Sequence, residues 1–105
     1  MAYERLRESL TRGNLWLYIL TTLEGSDASP GEVRERVRER FGFSAAGITF
    51  YSVLYRLRRE GLVRKASGEF RSTYEITGKG REELERARRL IKEVGGWMER
   101  PARGT

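Results

Sequence analysis

Apolar residues recur at intervals of three and four near the start of the chain, the spacing that places side chains on one face of a helix. The first stripe predicts a short amphipathic helix over residues 2–10 and consists of Tyr3, Leu6 and Leu10. Residues 15–23 are apolar nearly all round, which is typical of a helix buried in its own domain or against a second chain. Asn14 is the predicted N-cap of this second helix.

Two further helices are marked by the residues at their ends. Residues 29–32, Ser-Pro-Gly-Glu, have the order of a capping box with proline in the first turn, and Gly42 is expected to end the helix that they start. Ser44 is expected to open the next helix, which runs to Glu60. It ends at Gly61, because glycine suits the left-handed position after a helix.

The second half of the chain changes to short β-prone runs and then returns to helical spacing. Residues 62–65 and 70–76 are β-prone and are separated by a Ser-Gly turn, which predicts a hairpin. Thr77 is the predicted N-cap of a last helix that runs to about Val94. Two consecutive glycines at 95–96 are expected to break that helix.

This order of elements predicts a mainly helical α+β fold with a small β-hairpin. Helix, turn, helix and a two-stranded wing form a winged helix-turn-helix, in which the second helix of the pair fits the major groove of DNA. A chain of 105 residues has room for one domain. We assign residues 11–77 to the winged-helix core, 78–98 to an additional C-terminal dimerisation helix and 99–105 to a disordered tail.

The predicted helix over residues 44–60 has two faces with different chemistry. One face should pack on the core and carries Phe50, Val53, Leu54 and Leu57. The other mixes hydroxyls, phenols, guanidiniums and one aliphatic group, which can bond base edges or touch a thymine methyl. The residues expected to contact DNA from this helix are Ser44, Ile48, Thr49, Tyr51, Ser52, Tyr55, Arg56 and Arg59. The alternative is a solvated helix face, for which Glu and Lys are commoner.

The basic surplus of the chain lies mainly in the same segment. The formal net charge is +6, from 21 Lys and Arg against 15 Asp and Glu, and residues 44–74 hold six basic residues against two acidic ones. A basic patch favours a polyanionic partner, because each phosphate that it neutralises releases a counterion. On the predicted hairpin, Arg64, Lys65 and Arg71 are expected to contact phosphates, which position a protein without reading sequence.

Several functional classes are excluded by composition. The chain has no Cys and no His, which removes disulfides, zinc fingers and imidazole base chemistry. No Gly-rich phosphate loop or metal-ligand cluster is recognisable, so no enzyme activity, cofactor or metal is expected. The longest apolar run, residues 15–20, is far shorter than the ~20 residues of a membrane span, and the charged N-terminus is unlike a signal peptide. We therefore expect a cytoplasmic protein without a membrane partner.

Three segments carry a resemblance to a known family. Residues 49–63 place a Thr-Phe-Tyr triplet before Leu-Tyr-Arg-Leu and a Gly-Leu-Val turn, and residues 74–80 read Tyr-Glu-Ile-Thr-Gly-Lys-Gly. The first resembles the recognition helix of PadR-like transcriptional regulators, and the second resembles their second wing strand and the start of their final helix. Residues 12–23 are similar to their first core helix. The resemblance implies a winged-helix DNA-binding regulator with a single C-terminal helix.

The chain departs from the family pattern at three places. Ile48 stands where the family usually has Gly, and Ser52 stands where it often has Pro. Ser-Pro-Gly-Glu-Val at 29–33 replaces a common His-Gly-Tyr-Glu-hydrophobic motif. These differences leave the implied fold intact and bear on which operator is read. A MarR-like or other winged-helix family is the alternative.

The last predicted helix carries an apolar seam with alternating spacings of three and four, as in a coiled coil. Because the core of a winged helix is complete without it, this seam is expected to pair with a second chain, together with the N-terminal stripe. The predicted dimer interface consists of Tyr3, Leu6, Leu10, Leu84, Ala87, Ile91, Val94, Trp97 and Met98. A two-fold dimer presents two recognition helices one helical turn apart, ~34 Å, and requires a roughly palindromic site in double-stranded DNA.

These features favour a homodimeric, sequence-specific transcriptional regulator, a repressor that acts by occupying its operator. One alternative is a winged-helix module that binds protein, and another is an architectural DNA-binding protein of low specificity. Salt-dependent DNA binding distinguishes a regulator from the protein-binding module, and a high ratio of specific to non-specific affinity distinguishes it from the architectural protein. No small-molecule effector is predicted, since tryptophans such as Trp16 and Trp97 more often pack in a core.

Overall fold

Five α-helices and a two-stranded hairpin make up residues 1–66 and 72–101, the part of the chain that the computed structural model describes. In chain order the elements are α1 Ala2–Leu10, a short 3₁₀ turn Arg12–Asn14, α2 Leu15–Gly25, α3 Pro30–Phe41, α4 Gly47–Arg59, β1 Val63–Lys65, β2 Tyr74–Ile76 and α5 Gly78–Glu99. The mainly helical α+β fold predicted from the sequence is confirmed. No helix within the described ranges is both long and apolar enough to cross a membrane.

The hydrophobic core is built around α2. Because α2 is apolar on nearly every side, it packs against α3, α4, β2 and α5. The core side chains come from all of these elements and include Leu15, Ile19, Leu20, Leu23, Val33, Val37, Phe50, Leu54, Leu57, Val63, Ile76 and Leu84. The sequence-based expectation that residues 15–23 form a buried helix is therefore confirmed.

The capping box predicted for α3 is present. The Ser29 hydroxyl accepts a hydrogen bond from the Glu32 amide at 3.3 Å, and the Glu32 carboxylate accepts one from the Ser29 amide at 3.1 Å. Gly42 ends the helix with a φ of 76°, a left-handed conformation that glycine adopts without steric cost. Sequence and structure agree at both ends of this helix.

The hairpin is attached to the helical body along its second strand. β1 and β2 are antiparallel, with Val63 opposite Ile76 and Lys65 opposite Tyr74. Tyr74 also exchanges two backbone hydrogen bonds with Ala28, in the segment between α2 and α3. The strand expected at 70–76 is thus observed from Tyr74, and its first two residues lie outside the described residues.

Of the two predicted N-caps Asn14 and Ser44, the first stands at the start of its helix without a capping hydrogen bond, and the second does not stand at a helix start. Asn14 precedes α2, but its amide group bonds the Trp16 indole and the Ser9 carbonyl and does not cap the helix. Ser44 caps nothing, because α4 begins at Gly47. Arg12 and Arg34 donate to the carbonyls of Ser44 and Ala45 at 2.7 and 3.1 Å and hold this stretch as a turn. Contacts from distant segments therefore hold the turn before α4, whereas the Asn14 side chain is engaged by neighbours in the chain.

The predicted break in the last helix is also wrong. α5 continues through Gly95 and Gly96 to Glu99, so the helix covers 22 residues. A glycine inside a helix costs about 1 kcal/mol relative to alanine and does not by itself end it. The tail expected at 99–105 begins inside the helix at Glu99, and residues 102–105 lie outside the described residues.

Candidate nucleic-acid interface

α4 is held against the core by one face and leaves the opposite face open. Phe50, Leu54 and Leu57 are buried, as the helical spacing predicts, and Val53 is half-buried at the edge. The opposite side is exposed along its whole length and carries Ile48, Thr49, Tyr51, Ser52, Tyr55, Arg56 and Arg59. Ile48 is 85% exposed, so its side chain adds nothing to the core and is accessible to a ligand.

The arginines on the open face of α4 are available for a ligand. Within the described residues, Arg56 and Arg59 form no ion pair or side-chain hydrogen bond with the protein. The Arg59 guanidinium lies over the Tyr55 ring at 5.6 Å, a cation–π contact that orients the side chain without using its hydrogen-bond donors. Guanidinium donors that are oriented but unsatisfied suit bidentate recognition of a base edge or a phosphate.

Two basic residues of α3 lie beside the turn before α4, and the sequence pattern did not predict them as part of the interface. Arg34 and Arg38 of α3 line a hollow of about 360 Å³ together with Ser44 and Tyr51. Arg38 is ion-paired with Glu35, and this hydrogen bond lowers the pKa of the Glu35 carboxyl. Ser44, expected at the start of α4, thus lies exposed in this hollow. The only sequence signal was the four-residue spacing of the arginines. Because glutamates are interleaved with them, the pattern is also that of a solvated helix face.

The wing presents one engaged and one open basic side chain. Arg64 Nε donates to Glu75 Oε1 at 2.5 Å, across the β1–β2 pair. A phosphate that binds Arg64 must therefore share it with Glu75. Lys65 is exposed on the same strand and forms no ion pair within the described residues. Arg71, also predicted to contact phosphate, lies outside the described residues.

Several solved structures with the same arrangement of helices and hairpin are transcriptional regulators, and another is a winged-helix DNA-binding protein. A PadR family transcription regulator from Clostridium difficile R20291 is 29% identical, with a TM-score of 0.68 over 81% of this chain and 97% of that one. A transcriptional regulator from Clostridium thermocellum is 25% identical, with a TM-score of 0.69 over 85% and 93%. The chain has the winged-helix fold of PadR-like regulators. A PadR-like transcription factor from Bacteroides fragilis, 20% identical, shares the fold with a TM-score of 0.73 over 90% and 95%. No protein-family model and no curated protein matches the sequence.

Two further stripes of the chain are apolar and exposed, one on α1 and one on α5. On α1 the stripe of Tyr3, Leu6 and Leu10 is exposed, and no residue of that helix is buried. On α5 the exposed apolar residues are Leu90, Ile91, Val94, Trp97 and Met98. One predicted interface residue is misplaced, because Leu84 is 1% exposed and belongs to the core of its own protomer. Ala87 is half-buried at the point where α5 leaves the body.

The surface between α2 and α5 contains an open hollow. Trp16 lines it together with Ala87 and Leu90, and its volume is about 460 Å³. The Trp16 indole N–H donates to Asn14 at 3.2 Å, so its polar atom is satisfied within the protomer. Among the residues described, no three metal-ligating side chains lie together.

Proposed function

We propose that this PadR-like chain is a DNA-binding transcriptional regulator that acts as a homodimer and represses by occupying a roughly palindromic operator. The observation that carries the proposal is the division of α4 into a buried apolar face and an open face whose guanidiniums form no ion pair within residues 1–66 and 72–101. The regulators that share its fold support DNA binding and transcriptional control. Repression, operator shape and dimerisation are parts of our proposal.

In the proposed complex with DNA, some side chains contact base edges and others contact phosphates. With α4 in the major groove, Arg56 and Arg59 are placed to bond guanine edges and Ile48 to touch a thymine methyl. Thr49, Ser52 and Tyr55 supply hydroxyls for base edges or phosphates. Phosphate contacts come from Lys65 on the wing and from the basic residues beside the turn, Arg34 and Arg38, which fix register without reading sequence.

The proposed dimer covers the apolar surface of α1 and α5. Large contiguous apolar patches are rare on monomers, and they mark interaction sites or aggregation hazards. A two-fold axis through α5 lets the same stripe meet itself, as an isologous interface requires. It also gives two copies of α4 about one helical turn of DNA apart, ~34 Å. A regulator of this kind acts where the operator DNA is, and we expect that place to be the cytoplasm.

Selection of genomic fragments by the purified protein at two salt concentrations tests the DNA-binding part. The recovered duplex is then measured against Arg59→Ala and against Arg89→Ala, an exposed α5 arginine that removes the same charge away from α4. We expect Arg59→Ala to lose about 5- to 150-fold in affinity and to relax the preference at one base pair, because a bidentate contact contributes ~1–3 kcal/mol of discrimination. Arg89→Ala should lose only a small, sequence-independent part.

Three results of that experiment contradict the proposal. Absence of duplex binding at low salt, or binding that salt does not weaken, removes DNA as the ligand. The exposed Ile48, Tyr51 and Tyr55 then favour the protein-binding module, since exposed aromatic and aliphatic groups suit a protein partner. Binding with a low ratio of specific to non-specific affinity instead favours an architectural protein.

A further inference from the structure

The first turn of α5 binds the chain immediately after the recognition helix α4. Lys79 Nζ donates to the Glu60 carbonyl at 2.9 Å, and the Thr77 hydroxyl donates to the Gly61 carbonyl at 2.6 Å. The Thr77 amide donates to the Leu62 carbonyl at 3.1 Å. Three consecutive carbonyls that follow α4 are thus bound by two residues at the start of α5. We call this set of contacts the α4–α5 joint.

The packing at the joint leaves almost no free space. A Cβ atom added to Gly80 would lie 2.2 Å from the Leu62 carbonyl oxygen and 2.8 Å from Ile76. The Thr77 hydroxyl also accepts from the Gly80 amide at 3.0 Å, so one side chain caps α5 and bonds the end of α4. Gly61 has a φ of 78°, and a Cβ added there would lie 4.0 Å from the Lys79 side chain. The start of α5 is therefore held to the turn that follows α4 by backbone as well as side-chain contacts.

Small changes at such a joint have large effects at a distance. α5 has 22 residues, which makes it about 33 Å long at 1.5 Å per residue. A swing of about 10° at its base moves its far end by ~6 Å, more than the ~3.4 Å step between base pairs. In a dimer joined through α5, that movement changes the distance between the two copies of α4.

We propose that Thr77 and Lys79 are positioning residues for DNA recognition, which fix the direction of α4 relative to α5 and so set the half-site spacing that the dimer accepts. Neither residue lies on the open face of α4, so neither is expected to contact bases. The inference rests on the proposed dimeric DNA-binding function, and it adds a reason for one preferred spacing. The Arg88–Glu24 ion pair, at 2.8 and 3.1 Å, attaches α5 to α2, and α4 also packs on α2. The joint therefore adds a direct connection between the start of α5 and the end of α4 to the packing that the two helices share on α2.

The rigidity of the joint can be measured without DNA. Because the chain has no Cys, Arg58→Cys and Lys92→Cys allow two spin labels to be placed cleanly on exposed positions of α4 and α5. Labelled protein diluted into unlabelled protein gives the distance within one protomer by double electron–electron resonance. We expect Lys79→Met, alone and with Thr77→Ala, to broaden and shift that distance distribution. The conservative pair Lys79→Arg and Thr77→Ser should keep it narrow, and an unchanged distribution in the disruptive variants overturns the inference.

The spacing preference is measured on a duplex that the wild-type protein selects from random sequence. Insertion of one base pair between the half-sites turns one against the other by about 35°, and we expect the wild type to lose about tenfold in affinity. Lys79→Met should lose no more than about threefold on the same change, because a looser joint can follow the DNA. Its affinity for a single half-site should equal that of the wild type. A general loss of stability would instead lower the affinity for every duplex alike.

The outcomes separate this inference from the proposed function. If the wild type selects no duplex, the DNA-binding proposal fails and the positioning role fails with it. If the wild type selects a duplex and Lys79→Met keeps the full spacing preference, only the positioning role fails. A relaxed preference with unchanged half-site affinity supports both.

Discussion

α4 and α5 are both amphipathic helices with one exposed face, yet the two faces have opposite chemistry. The open face of α4 carries hydroxyls and unpaired guanidiniums beside one aliphatic group, whereas the open face of α5 carries five large apolar side chains. A polar, cationic face is stable in water without a partner. An apolar face of this size is not, because exposed apolar surface is unfavourable in water. In our proposal, the open face of α4 therefore binds a polyanion and the open face of α5 binds a protein surface.

The contrast also separates the part of α5 that packs on its own chain from the part that, in our proposal, meets a partner. α5 belongs to its own body through Leu84 and through Arg88, which binds Glu24 on α2. Beyond Leu90 its apolar side chains are open. α4 belongs to its own body along its whole length. The apolar residues at helical spacing therefore pack within the chain in α4. In our proposal, those of α5 pack within the chain up to Leu84 and against a second chain from Leu90 onward.

Crowding of the close contact between α5 and the turn after α4 should have the largest effect. Gly80→Ala places a methyl group 2.2 Å from the Leu62 carbonyl oxygen and 2.8 Å from the Ile76 side chain, and the Leu62 backbone prevents easy relief. We expect a loss of about 3 kcal/mol in the free energy of unfolding, the upper part of the range for overpacking. Urea denaturation measures it. Gly78→Ala is the matched control, because its Cβ meets nothing within 4 Å, and it should be neutral or slightly stabilising.

A glutamate on the apolar face of α5 should abolish the dimer. Ile91 is 50% exposed in the protomer and lies on the open seam, so Ile91→Glu would bury an unpaired carboxylate twice in a two-fold interface. We expect dimer affinity to fall by about a hundredfold or more, with the thermal stability of the protomer nearly unchanged. Sedimentation equilibrium measures the affinity, and Lys92→Gln on the other side of α5, which also lowers the net charge by one, controls for charge. A variant that dimerises like the wild type would place the interface elsewhere.

The same substitution of isoleucine by glutamate on α4 should weaken DNA binding and leave dimer affinity unchanged. Ile48→Glu adds a carboxylate to a side chain that is already 85% exposed, so neither folding nor dimerisation should change. Binding to the selected duplex should weaken by about tenfold or more, because a negative charge approaches the phosphates and a methyl contact is lost. Fluorescence anisotropy at two salt concentrations measures the affinity. If Ile48→Glu instead alters the oligomeric state, the division of tasks between α4 and α5 is wrong.

The two faces differ in how well sequence alone predicts them. The faces of α4 follow from period 3.6, because Phe50, Leu54 and Leu57 pack within one protomer on elements that are themselves apolar. On α5 the same periodicity continues from Leu84 to Met98, and nothing in the pattern shows that α2 covers only the first part. Leu84 was therefore predicted for the interface and found in the core.

The start of α4 was not predictable for a related reason. Ser44 has the residue type of an N-cap, but Arg12 and Arg34 hold the chain as a turn up to Ala46 through contacts 32 and 11 residues apart. Local propensity does not contain such contacts. The same holds for the basic residues Arg34 and Arg38, whose place beside the turn depends on how α3 packs on α4.

Acid should loosen the attachment of α5 to its own body by a modest amount. The hydrogen bond from Arg88 lowers the pKa of Glu24, so this pair stabilises the fold above the ordinary carboxylate range and is lost as the pH falls through the lowered value. We expect Arg88→Met to cost at most about 1 kcal/mol at pH 7, as for other exposed pairs, and almost nothing at pH 3. Arg86→Met, which loses only a pair within α5, is the control. A cost that is the same at both pH values would exclude Glu24 as the partner that matters.

The smallest effect concerns the two glycines near the end of α5. Gly95 lies four residues after Ile91 and three before Met98, on the apolar face, whereas Gly96 lies on the other side. Alanine at either position should raise helix stability by the same ~0.5–1 kcal/mol, seen as slower amide exchange over residues 93–99. Only Gly95→Ala adds a methyl group where the proposed partner packs. The two variants should therefore agree in helicity and differ in dimer affinity, and equal dimer affinities would mean that the partner approaches α5 from another side.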